Sequence, residues 1–205
     1  MIALIDLGMN NTTSIKKAFD RVGCEVKVTQ KSSELDNADA IILPGVGSFG
    51  DGMEVLAKLE LVNPIKMIVK KGIPILGICL GMHLLTERSE ENENYLGLGL
   101  ISGTTGKLDP NFSDERIPNI GWSSVFIEPN SILLNDLEDG EAFYFAHSYH
   151  VLCKDRMVAA TIEYGNKKIT AAFENKNIFG VQFHPEKSQD AGLRVLSSFL
   201  KQIKK

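Results

Sequence analysis

Cys79 stands in the segment Gly77-Ile78-Cys79-Leu80-Gly81, where the apolar run Ile75-Leu76-Gly77-Ile78 gives way to Met82-His83-Leu84-Leu85. An apolar strand that turns into a helix between flanking glycines is the thiol counterpart of the Gly-x-Ser-x-Gly elbow. The glycines let the chain turn sharply and let a substrate come close to the backbone. Such a turn raises the side chain above the carboxyl edge of a parallel sheet, where open α/β sheets place their ligands. A thiol there faces the unpaired N–H groups and positive dipole end of the helix, and both favour the thiolate form. The Leu80 N–H is expected to meet an oxyanion formed on a carbonyl attacked by Cys79. A free cysteine in an apolar run, taken by itself, is more often a small buried hydrophobe. Cys24 and Cys153 have no comparable setting and are read as structural.

A cysteine acting by acyl transfer needs a base and a group that fixes the base's tautomer. Phe183-His184-Pro185-Glu186 offers both. Residues two apart in extended chain project to the same side, so Glu186 is expected to reach the His184 ring. Pro185 keeps the segment out of a central strand and suits the rim of an active site. An isolated His-x-Glu is otherwise a common surface-loop feature. The remaining histidines are less well equipped: His83 falls on a helix, His147 follows an apolar strand, and His150 has no carboxylate in local sequence. The loop Leu43-Pro44-Gly45-Val46-Gly47-Ser48-Phe49-Gly50 follows a strand and can present N–H groups to an oxyanion or phosphate, but it lacks the Lys-Ser/Thr of a nucleotide P-loop.

These residues need a frame. Ile2 to Leu7, Glu25 to Thr29, Ala40 to Leu43 and Ile75 to Ile78 read as strands, separated by helical stretches at Ser14 to Val22 and Asp51 to Lys71. Gly23 stops the first helix, and Pro64 should kink or divide the second. Apolar strands alternating with helices predict a mostly parallel sheet covered on both faces. The second half offers short strands at Ser123–Ile127, Ala142–Ala146, Met157–Thr161, Ile169–Phe173 and Ile178–Gln182, which predict an antiparallel or mixed extension of that sheet. Ala191 to Ile203 reads as a closing helix. One α/β domain spanning residues 1–205 is the expectation.

The formal charge of −4 gives no basic footprint for a nucleic-acid partner. No apolar run approaches the roughly 18–20 residues needed to cross a bilayer, and the first residues lack the charged start and long apolar stretch of a signal peptide. Three cysteines without Cys-x-x-Cys spacing argue against a disulfide framework or a cysteine zinc site. A reducing cytoplasm is the expected setting, and neither a metal nor a cofactor is called for.

Taken together, the three segments resemble the class I (triad) glutamine amidotransferase family, which implies a flavodoxin-like core. Gly77-Ile-Cys-Leu-Gly-Met82 resembles its nucleophile elbow and His184-Pro-Glu186 its triad pair. Within the family, the resemblance is greatest to the glutaminase subunits of imidazole glycerol phosphate synthase. It rests on Leu43-Pro-Gly-Val-Gly-Ser-Phe-Gly50, Phe143-Tyr-Phe-Ala-His-Ser-Tyr149 and Phe179-Gly-Val-Gln-Phe-His-Pro-Glu-Lys-Ser-Gln189, and it covers essentially the whole chain in order. The resemblance implies hydrolysis of glutamine by a Cys79-His184-Glu186 triad, with an oxyanion hole from the N–H groups of Leu80 and of Val46 or Gly47. It implies substrate contacts near Glu91, Ser148, Tyr149 and position 83. It further implies a (β/α)8-barrel cyclase subunit as partner in a heterodimer. That partner receives the ammonia and activates the glutaminase by repositioning Gly45-Val46-Gly47. Asn11, Asn119, Trp122 and Lys187 are implied at or near the interface.

The chain departs from the family pattern at three places. The usual Gln four residues after the nucleophile is His83, which cannot reproduce an amide's donor and acceptor pair. The usual Asp-Tyr-Gly-x-Gly-Asn reads Asp6-Leu7-Gly8-Met9-Asn10-Asn11, and Pro-His-Met-Gly-Trp-Asn reads Pro118-Asn119-Ile120-Gly121-Trp122-Ser123. None touches the triad, but they leave open a paralogous glutaminase that feeds a surface-sugar amidotransferase. A non-catalytic regulatory partner and a cysteine hydrolase acting alone are further readings, which the intact triad and the subunit-like length oppose.

Overall fold

A computed structural model describes residues 1–8, 12–91, 95–109 and 116–203. The amino-terminal half alternates strands and helices: β1 (Ile2–Ile5), α1 (Thr12–Arg21), β2 (Val26–Thr29), α2 (Ser32–Leu35), β3 (Ala40–Gly45), α3 (Phe49–Lys58), α4 (Val62–Lys70), β4 (Ile75–Cys79) and α5 (Leu80–Leu84). The second half is mostly strand: β5 (Arg88–Ser89), β6 (Gly103–Lys107), β7 (Asn119–Ser124), β8 (Phe126–Ile127), β9 (Ala142–His147), β10 (Tyr149–Cys153), β11 (Val158–Tyr164), β12 (Lys167–Asn175) and β13 (Ile178–Val181). A short 3-10 turn (Pro185–Lys187) then leads into α6 (Gln189–Leu200).

The main sheet has the order β2-β1-β3-β4-β13-β12-β11-β8. From β2 to β13 the neighbours are parallel, and beyond β13 they are antiparallel. Inside the edge strand β2, the parallel strands β1, β3, β4 and β13 are buried on both faces, because side chains alternate between two cores. Ile2, Leu4, Ile42, Leu76 and Ile78 pack with Ile15 and Phe19 of α1 and with Val195 and Phe199 of α6. Ala3, Ile5, Ile41, Leu43 and Ile75 pack against Phe49, Leu56, Ile65 and Ile68 of α3 and α4. This is the mixed α/β domain that the alternation predicts.

Three expectations need correction. The helical stretch Asp51 to Lys71 divides at Glu60, which takes a positive φ of 56°, and not at Pro64. Pro64 sits in the first turn of α4, where its missing N–H has no intrahelical acceptor to lose. Ser123–Ile127 is two strands, and Ala142–Ala146 lies outside the main sheet: β7 and β9 form a separate antiparallel ribbon. A second small sheet, β10-β6-β5, has no counterpart among the predicted strands. Among the described residues, no helix is long and apolar enough to cross a membrane, and no group of three or more His, Cys, Asp or Glu residues could hold a metal ion.

Candidate active site

β4 ends at Cys79, whose backbone adopts φ 53° and ψ −113°. A positive φ at a non-glycine residue costs on the order of 1–3 kcal/mol and persists only where the surroundings impose it. They do so here. A Cβ at Gly77 would come 2.7 Å from both the Gly81 carbonyl oxygen and the Met82 nitrogen, and one at Gly81 would come 1.6 Å from the Leu43 carbonyl oxygen. The two glycines let α5 fold back against β4 and β3, and the sulfur is left at the carboxyl edge of the sheet. Gly45 pairs with Cys79 in the β3–β4 register, so the loop holding Val46 and Gly47 leaves the sheet beside the nucleophile candidate.

His184 and Glu186 follow β13, the other parallel neighbour of β4. His184 Nδ1 lies 2.9 Å from Glu186 Oε1, and both side chains are almost fully buried. The pairing does not come from extended chain, as expected, because residues 185–187 form a 3-10 turn with Pro185 at its start. That turn is pinned to β9. The His184 N–H donates to the Tyr144 carbonyl (2.9 Å), the Ser188 hydroxyl donates to the His184 carbonyl (2.7 Å), and the Tyr144 N–H donates to the Ser188 hydroxyl (3.0 Å). Glu186 Oε2 is buried without a hydrogen-bond partner among the described residues, so the carboxylate's one hydrogen bond goes to His184.

The four histidines separate by environment. Burial works against a charged His184 ring, but hydrogen bonds and charge from Cys79 and Glu186 overcome it and push the ring up to about 9. Burial pushes His83 down to about 4, His147 to about 3 and His150 to about 4. At neutral pH, therefore, His184 alone of the four is held protonated, and the group facing it is the Cys79 sulfur.

Cys79, His184, Leu80, Val46 and Gly47 share one cavity of about 340 Å³. Glu91, Ser148, Tyr149 and His83 also line it. Glu91 reaches it from the loop after β5, with Oε2 accepting from the Phe49 N–H at 2.8 Å. Partial burial, and then the Glu91 charge, raise the Tyr149 hydroxyl above its ordinary range. His83, which lines the same cavity, has its Nε2 2.7 Å from Gln182 Oε1. Asn119 is half-buried, and its amide lies 3.1 Å from His147 Nε2. Trp122 is exposed and meets the Tyr144 ring edge-on at 6.1 Å, while Lys187 Nζ lies over that ring, 5.3 Å from its centroid. Trp122, Tyr144 and Lys187 are thus joined by contacts, and Lys187 lines the cavity. Asn11 lies outside the described residues.

Two residues at the site were not singled out from sequence, Gln182 and Ser188. Gln182 is a polar side chain within the apolar run Ile178-Phe179-Gly180-Val181-Gln182-Phe183, two residues before His184, and that misfit was the available signal. Ser188 gives no local sign, since its partners at Tyr144 and His184 are set by tertiary structure.

Residues 3–203 match the family model for class I glutamine amidotransferases. The chain is 42% identical over 199 residues to an imidazole glycerol phosphate synthase subunit HisH of Bacillus cereus, covering 97% of this chain and 93% of that protein. It is 43% identical over 204 residues to subunit HisH 2 of the same synthase from Methanococcus maripaludis, covering 98% and 100%. Among solved structures, PurLQS from Thermotoga maritima superposes with a TM-score of 0.76 at 24% identity, over 99% of this chain and 98% of that one. A structure described as a glutamine amidotransferase superposes with a TM-score of 0.76 at 19% identity, over 98% of each chain. At these identities the superpositions speak for the fold.

Proposed function

This chain belongs to the class I glutamine amidotransferase family, and from that premise we propose that it is a glutaminase subunit that supplies ammonia to imidazole glycerol phosphate synthesis in the histidine pathway. The observation that carries the chemistry is the Cys79 sulfur facing an imidazole whose Nδ1 is held by a buried carboxylate at 2.9 Å.

Thiolate Cys79 attacks the side-chain amide carbon of glutamine, and the carbonyl π electrons move onto oxygen. The N–H groups of Leu80 and of Val46 or Gly47 receive that oxyanion. His184, carrying the proton taken from the thiol, delivers it to the amide nitrogen as the C–N bond breaks, and ammonia leaves. A water, deprotonated by His184, then cleaves the glutamyl thioester to glutamate and restores the thiolate. Glu186 fixes the tautomer and orientation of the ring throughout. Glu91 and Tyr149, which line the same cavity, are suited to the amino-acid end of the substrate, a carboxylate for its ammonium and a hydroxyl for its carboxylate.

The ammonia is passed to a (β/α)8-barrel cyclase subunit seated over the cavity mouth, with Trp122 and Lys187 in the contact. Glutamate release from glutamine by the assembled complex tests the assignment. Cys79→Ala should abolish it, and turnover retained in that variant would refute the nucleophile. The acceptor is tested by the protein that co-purifies with the chain. A barrel cyclase supports the histidine reading; a surface-sugar amidotransferase replaces it.

A further inference from the structure

We propose that His83 and Gln182 act as a buried positioning pair that presents an amide N–H to the Cys79 sulfur and favours its anionic form, an inference that rests on Cys79 being the nucleophile. Gln182 is fully buried and His83 is 5% exposed. His83 comes from α5, which follows the nucleophile, and Gln182 is the residue after β13, the strand that pairs with β4. Their side chains meet at 2.7 Å between His83 Nε2 and Gln182 Oε1. Burial keeps the His83 ring neutral near pH 7, so it carries a single N–H. A carbonyl oxygen can only accept, and a contact this short therefore places that hydrogen on Nε2. In this arrangement Oε1 accepts from His83, and the amide Nε2 lies 3.9 Å from the sulfur.

The consequence is electrostatic. An amide N–H is a weak partner for a neutral thiol and a stronger one for a thiolate. The reversed amide would set oxygen lone pairs against the sulfur and oppose its charge. The Gln182 backbone cannot drift to relieve the contact, because its N–H donates to the Ala171 carbonyl at 2.8 Å. The ionisable groups facing the same space are His83 from α5, Glu91 from the loop after β5, His147 from β9, Tyr149 from β10, and His184 and Lys187 from the turn before α6. His184 supplies the positive charge. Gln182 supplies a second, uncharged donor, set against the Ala146 carbonyl that lies 3.9 Å from the same sulfur, and His83 keeps it aimed.

The test follows alkylation of Cys79 by iodoacetamide in the full chain across pH, read on the peptide that contains Cys79 so that Cys24 and Cys153 do not contribute. Gln182→Met keeps the volume and removes the donor. It should move the alkylation midpoint up by about one pH unit, slowing reaction near neutrality roughly tenfold. His83→Phe should do the same by releasing the amide, and His83→Gln should restore the original midpoint because its side chain can again donate to Gln182 Oε1. If Gln182→Met does not fold, the His83→Phe and His83→Gln pair decides the matter. Unchanged midpoints in folded Gln182→Met or His83→Phe would overturn the pair. That outcome is distinct from glutaminase activity surviving in Cys79→Ala, which would remove the nucleophile itself.

Discussion

Gly81 lies so close beneath Leu43 that a Cβ on it would come within 1.6 Å of the Leu43 carbonyl oxygen. This contact is between α5 and the strand that leads into the Val46-Gly47 loop, and the nucleophile sits between the two. Gly81→Ala would have to push helix and strand apart, since backbone cannot swing away as a flexible side chain can. The expected result is a loss of about 3 kcal/mol of stability, read by denaturant unfolding, and glutamate release reduced to background at temperatures where the variant is still folded. A variant with normal unfolding and normal activity would mean that the elbow tolerates a side chain here.

His184 should titrate near 9 and not near the ordinary histidine range. Its folded pKa lies above its unfolded one, so its contribution to stability is complete below about 6.5 and is lost as pH rises through about 9. Labelled-histidine NMR can follow the ring directly. In Cys79→Ala the sulfur's contribution is gone, and the midpoint should fall, with part of the alkaline loss of stability disappearing as well. A midpoint unaffected by removal of the sulfur would contradict the proposed pairing.

The elbow was legible because glycine at 77 and 81 has one local meaning at a strand-to-helix switch, and the close contacts at both positions bear out that meaning. The parallel core was legible for a similar reason: strands buried on both faces have no wet side, and β1, β3 and β4 read as unbroken apolar runs. The small sheets were not. Gly103-Thr-Thr-Gly106 reads locally as a turn, but it is a strand because it pairs with Leu152 and its neighbours nearly fifty residues away. A Cβ at Gly103 would stand 2.7 Å from the Leu152 carbonyl oxygen, so the glycine marks a close approach and not a bend. The link from His184 to Glu186 was foreseen through the wrong backbone. Pro185 starts a tight turn, which brings the carboxylate round to the ring more directly than extended chain would.

Ser188 joins β9 to the turn that carries the base, accepting from the Tyr144 N–H and donating to the His184 carbonyl. Ser188→Ala removes both bonds and leaves the Tyr144 N–H without its acceptor, while the His184 carbonyl keeps the Lys187 N–H at 3.0 Å. A cost of about 1–3 kcal/mol in unfolding free energy is expected. The ring would lose positional restraint without losing its chemistry, so kcat should fall by more than KM rises. Ser188→Thr retains the hydroxyl and should recover a larger share of kcat than of stability, because its added methyl enters a buried site. Equal kcat in the wild type and in Ser188→Ala would show that the other bond, from the His184 N–H to Tyr144, positions the base by itself.

Glu186→Gln keeps the size of the side chain that holds His184 Nδ1 and removes its charge. The neutral amide can turn either end toward the ring. With oxygen inward the working tautomer survives but the imidazolium loses a counter-charge; with nitrogen inward the N–H moves to Nε2, and the base can no longer accept the proton from sulfur. Both arrangements slow acylation without touching the amino-acid end of the cavity. Glutaminase kcat should fall between about 10²- and 10⁴-fold with little change in KM. The His184 midpoint should drop below its wild-type position near 9, because one of the two groups that raise it has lost its charge. Burst measurements of the thioester separate this from a binding defect: saturating glutamine should give slow accumulation of acyl-enzyme at Cys79. A variant that acylates at the wild-type rate would assign Glu186 to the architecture of the turn and leave the orientation of the ring to Tyr144 and Ser188.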